Sequence, residues 1–167
     1  MRRLPTLTIL AAIALSAGGS AWAQDGHPLS ACSGVVGAWL TDNPGGEPSR
    51  SLLSFTGDGL VFFADSGQGG GVGFGPFTGG HGAWRCVASG ADGVRISASV
   101  LDFTLATVDW PNQKIGRLDF DASVDPKGAM TGSMTLLTVP LDGDPLEKAK
   151  AEEDADGKFS AVRITAP

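Results

Sequence analysis

The chain has no tyrosine at all, and only two histidines and two cysteines among its 167 residues. So little histidine leaves His81, beside Trp84 and Arg85, with no second ligand for a metal and no cysteine or aspartate neighbour for a catalytic triad. Basic residues are also few: 12 lysines and arginines against 18 aspartates and glutamates give a net charge of −6, which repels phosphate backbones and excludes nucleic acid as a partner. Beyond residue 23 no apolar run approaches the ~20 residues a spanning helix needs. The 25 glycines nowhere fall into Gly-x-x-x-x-Gly-Lys-Ser/Thr or Gly-x-Gly-x-x-Gly, so no phosphate-cradling loop is present. Helical periodicity is nearly missing after the N-terminus, where apolar residues alternate instead and turn formers recur at short intervals.

The N-terminus reads as an export signal over residues 1–23. Arg2 and Arg3 precede an apolar stretch from Leu4 to about Ala17, and Ala21-Trp22-Ala23 places small residues at −3 and −1 of a peptidase site. The mature chain is expected in the periplasm or outside the cell, as a loose lead-in over 24–33 and one domain over 34–167. Leu29-Ser30-Ala31-Cys32 has the form of a lipobox, but Gln24, Asp25, His27 and Pro28 separate it from the apolar core, and a lipidated Cys32 could form no bridge. In an oxidising compartment the pair Cys32 and Cys86 is expected to form one disulfide, worth ~4 kcal/mol in the chain-entropy model; two free buried thiols are the alternative.

Eight strands are expected, at 35–40, 50–56, 60–64, 82–87, 94–108, 114–124, 129–139 and 159–165. Gly57-Asp58-Gly59 makes the clearest hairpin turn. On the sixth strand Leu118, Phe120, Ala122 and Val124 share a dry face, opposite Arg117, Asp119 and Asp121. On the fifth, Leu101, Phe103 and Leu105 are expected to oppose Asp102 and Thr104. Short connections and alternating faces suit an all-β, eight-stranded antiparallel up-and-down barrel, whose closure leaves no open edge; a β-sandwich is the alternative.

Gly37-Ala38-Trp39 on the first strand resembles the Gly-x-Trp motif of lipocalins and related calycin barrels. The resemblance implies that a basic residue on the last strand, here Arg163, packs over Trp39 and closes the barrel bottom. It spans the strand layout but rests on these few residues; Gly82-Ala83-Trp84 repeats the motif and the family's Thr-Asp-Tyr is missing. Bacterial metalloprotease inhibitors and allene-oxide-cyclase-like barrels share the general layout.

No cofactor or metal site is expected. The glycine-rich stretch from Gly67 to Gly80 carries Phe74 and Phe77, either as a lid over a barrel mouth or as a slack connection with two apolar anchors. Trp39, Phe55 and Trp84 serve as core first, and as walls for a flat apolar ligand second. His81 is a single candidate acid/base or a loop-end hydrogen bonder. Glu152 to Gly157 resembles the first half of a calcium loop, but Arg163 stands where the bidentate glutamate belongs. The function expected is non-catalytic binding of a small hydrophobic ligand. The alternatives are an exported protein partner, as for a protease inhibitor, and an isomerase or cyclase needing His81 or Arg50 in a cavity.

Overall fold

The computed structural model describes residues 27–43, 49–147 and 152–166; the export signal expected over 1–23 lies outside them. A short 3-10 helix, η1 (Leu29–Val35), is followed by β1 (Gly37–Asp42), β2 (Ser51–Phe55), β3 (Leu60–Asp65), β4 (Gly80–Gly90), β5 (Gly93–Phe103), β6 (Lys114–Val124), β7 (Met130–Pro140) and β8 (Glu152–Arg163). Each strand pairs antiparallel with its sequence neighbours, and β1 returns to β8 through Trp39↔Arg163 and Thr41↔Ala161, closing the barrel. That last pairing decides against a sandwich. Among the described residues no helix is long and apolar enough to cross a membrane.

The alternation on β6 places Leu118, Phe120, Ala122 and Val124 inside. They meet the inward residues of every other strand, Trp39, Leu53, Val61, Trp84, Val100 and Phe159 among them. Aromatic rings fill the middle of this interior: Phe120 lies 6.0 Å from Phe63 and 6.1 Å from Phe159, and Phe55 meets Trp84 edge-on at 6.1 Å. Gly132 leaves room for the Phe159 ring, and Gly82 lets β4 lie close against the β5 backbone. A methyl on Gly82 would sit 1.9 Å from the Ser99 carbonyl oxygen, and one on Gly132 2.7 Å from the Phe159 ring.

Two expectations are corrected. On β5 the inward set is Ile96, Ala98, Val100 and Asp102, while Phe103 and Leu105 are exposed. The period of two, once fixed by Ile96 and Val100 in the core, carries Asp102 inside and sends Leu101 and Phe103 out. The last strand begins at Glu152 rather than Phe159. The acidic stretch to Gly157 is paired with β7 through a bulge at Leu136/Leu137 and forms no calcium-type turn.

Candidate functional site

The two ends of the barrel are built differently. At one end η1 docks beneath β4 and β5 and is tied there by the Cys32–Cys86 disulfide. This bridge removes the lipobox reading, since Cys32 has no thiol left to lipidate. Cys32 and Val35 are fully buried. The Trp39 indole Nε1 donates to the Val35 carbonyl at 2.8 Å, and the Arg163 guanidinium stacks 4.3 Å from the Trp39 ring centroid. The same guanidinium donates to the Val36 carbonyl at 2.6 Å and to the Gly34 carbonyl. It thereby satisfies carbonyls at the end of a helix too short to satisfy its own. Trp84 is held in the same way, its indole donating to the Thr56 carbonyl at 2.9 Å across the Gly57–Gly59 turn. Trp39, Phe55 and Trp84, expected as core or ligand wall, are all buried toward this sealed end.

At the other end the inward residues are polar. Asn43 Nδ2 donates to the Ser51 hydroxyl at 3.0 Å, the Ser51 hydroxyl donates to Asp65 Oδ2 at 2.6 Å, and the Ser51 amide donates to the Thr41 hydroxyl at 2.8 Å. Lys114 Nζ reaches the Thr138 hydroxyl at 3.5 Å. Asp102 completes the set. It is only 5% exposed, and its carboxyl lies across Gly116, where a methyl would come within 2.1 Å of Oδ1. Burial pushes its pKa up from the ordinary 3.8 to about 6, opposed by a hydrogen bond from the Gly116 backbone.

The glycine-rich loop joins β3 to β4 at this polar end. It is fastened, not slack: Phe77 N donates to the Gln68 carbonyl at 3.0 Å, Thr78 N to Phe103 at 2.9 Å and Leu105 N to Pro76 at 2.7 Å. Gly75 lies so close under Trp110 that a methyl would meet its Cγ at 2.9 Å. Phe77 turns back against the barrel core, and Phe74 packs 6.4 Å from it while remaining partly exposed.

His81 is elsewhere. It is exposed on the outer wall, edge-on to Phe62 at 5.2 Å. Arg50 is likewise exposed, beside a recess of about 150 Å³ that also touches Leu40, Asp42 and Ser160. Neither points into the barrel, as an isomerase would require. Arg117 faces outward with Asp119, as the alternation predicts, but it is buried because the β7–β8 connection folds over it: Nη1 donates to the carbonyls of Pro145 (2.9 Å) and Leu146 (3.2 Å). Its Nε donates to Asp119 Oδ1 at 2.9 Å, which also accepts from the Ser99 hydroxyl at 2.6 Å. Among the described residues no three His, Cys, Asp or Glu side chains gather as metal ligands.

The residue that sequence reading missed is Asp102. Parity with Ile96 and Val100 is its one sequence signal, and Leu101, Phe103 and Leu105 outweigh it until the register to Gly116 is known. No protein family, curated protein or solved structure matches the chain.

The buried Asp102 makes stability depend on pH in a definite direction. A carboxyl whose folded pKa lies above its unfolded value binds its proton more tightly when folded. Its contribution therefore weakens as pH rises from about 4 to about 6, and is a constant penalty above that. Asp102→Asn is expected to flatten this part of the stability profile and to gain up to roughly 3 kcal/mol at pH 8. Urea unfolding from pH 4 to 8 checks it; parallel profiles for the two proteins would show that Asp102 is not held in its protonated form.

Proposed function

We propose that the protein is an exported, non-catalytic binding barrel of the calycin kind, which takes a small, largely apolar ligand at the end beneath the glycine-rich loop. The observation that carries the reading is the contrast between the ends. One is plugged by η1, Trp39 and Arg163, whereas the other turns Asp102, Ser51 and Thr138 inward at the end where the glycine-rich loop packs Phe77 onto the core. Rings filling the middle of the barrel confine the ligand to that end. Its apolar body would lie against Phe77 and Phe63, and a donor group would meet Asp102. Calycin membership is supported by the Trp39–Arg163 stack joining the first and last strands. Export is supported by the disulfide.

Native mass spectrometry of protein purified from its own host tests this reading. The expected spectrum contains a bound small molecule that is released on unfolding and is lost from the Asp102→Leu, Phe77→Ala variant. A spectrum of the unliganded chain alone, from protein never exposed to denaturant, contradicts it.

A protein partner is the second reading, favoured by the outer wall over β8, β1, β2 and β3. There Leu40 pairs with Leu52 and Val162, and Leu52, Phe62, Val162 and Ile164 are exposed, Val162 by 66%. Contiguous apolar surface of this kind marks an interaction face. Panning against exported proteases with wild type and a Leu52→Asp, Val162→Asp variant separates this reading from the first.

A further inference from the structure

The long strands β5–β8 carry a feature that neither reading uses. A groove of about 600 Å³ runs across their outer wall, floored where the inward residues are the small Ala122 and Gly132. The register fixes what lines it. Arg95 pairs with Ser123 and Ser123 with Thr131; in the next row Asp121 pairs with Ser133 and Ser133 with Lys158. Adjacent strands lie ~4.8 Å apart and alternate residues ~6.8 Å along a strand, so Arg95 on β5 and Lys158 on β8 stand roughly 16 Å apart at opposite corners, with three hydroxyls and one carboxylate between them.

Among the described residues none of these six side chains is engaged in a hydrogen bond or ion pair. This is unlike the neighbouring stretch of the outer wall, where the Arg117 guanidinium on β6 and the Ser99 hydroxyl on β5 both donate to Asp119 Oδ1. The groove thus presents unspent donors and acceptors in a recess. It carries a local charge of +1 (Arg95 and Lys158 against Asp121) in a chain of net charge −6.

We propose that this groove binds an acidic oligosaccharide, a chain of sugar units bearing carboxylates. The chemistry selects that class. Ser123, Thr131, Ser133 and Asp121 exchange hydrogen bonds with vicinal hydroxyls. Two cations held well apart pair with carboxylates spaced along one molecule, while Asp121 between them disfavours a compact anion such as phosphate. Neutral sugars would fill the groove but leave both cations unmatched.

The test is a titration of the full mature protein with a short oligogalacturonate, followed by amide chemical shifts and calorimetry. Neutral maltooligosaccharide and inorganic phosphate serve as the other arms. The expected result is saturable binding of the uronate alone, with the shifts concentrated on Asp121, Ser123, Thr131 and Ser133. The Arg95→Ser, Lys158→Ser variant is expected to bind at least about tenfold more weakly. Both residues are exposed, so an unchanged thermal midpoint will show that the variant is folded. Absence of saturable uronate binding at millimolar concentration overturns the proposal. So does equal binding by the variant, or equal occupancy by phosphate. The ligand at the Asp102 end is untouched by any of these results, because the variant leaves that end intact.

Discussion

Replacing both cysteines, as Cys32→Ala with Cys86→Ala, is expected to lower the stability of the protein by about 4 kcal/mol. The bridge spans 54 residues, and releasing a loop of that size restores most of that free energy to the unfolded chain as entropy. A further part is local. Cys32 anchors η1, which packs mainly on β4 and β5, so without the bridge the plug is held mainly by Val35 and by the Arg163 and Trp39 hydrogen bonds. Urea unfolding of the two proteins under oxidising conditions measures the difference, and dithiothreitol should bring the wild type to the variant's midpoint. A loss below about 1.5 kcal/mol would mean that η1 and the barrel are held together without the bridge.

Trp39→Ala is expected to cost a similar amount, about 3–5 kcal/mol. The indole is completely buried, and it joins the end of η1 through Nε1 to the Arg163 guanidinium stacked on its face. Its removal opens a large void at the first strand, strands the Val35 carbonyl that accepts from Nε1, and leaves the Arg163 guanidinium without its stacking surface. Trp39→Phe keeps most of the apolar volume but not the donor, and should cost only about 1–2 kcal/mol more than a neutral change. Arg163→Lys preserves the charge but not the planar fork that reaches two carbonyls while lying flat on the indole, so it should behave as a partial loss. The fluorescence of Trp84, buried at the same end, reports unfolding in each variant. If Trp39→Ala unfolds at the wild-type midpoint, the indole does not organise this end.

How far such features could be seen beforehand depended on whether they were local. The period of two on Leu118–Val124 is a property of consecutive residues, and β6 appears with the bounds its alternation dictates. The pairing of Cys32 with Cys86 followed from there being only two cysteines. The direction of Asp102 was misread because Leu101, Phe103 and Leu105 look like a core face when taken alone. Only the register to Gly116 and Leu118 on the neighbouring strand reverses them. Arg117 illustrates the same point from outside, since its burial comes from carbonyls 28 and 29 residues later that fold over it. The early start of β8 was hidden for a different reason. A run of acids disfavours a strand by composition, and it is pairing with β7 that recruits it.

The most direct measurement of where this barrel binds is an amide chemical-shift map recorded as the neutral fluorophore N-phenyl-1-naphthylamine is added to the protein at pH 7. Saturable shifts are expected at Ser51, Asp102, Thr138 and Phe77, with Gly34 to Trp39 unmoved. Shifts confined to Leu52, Phe62 and Val162 on the outer wall, or the absence of any saturable response, would contradict it.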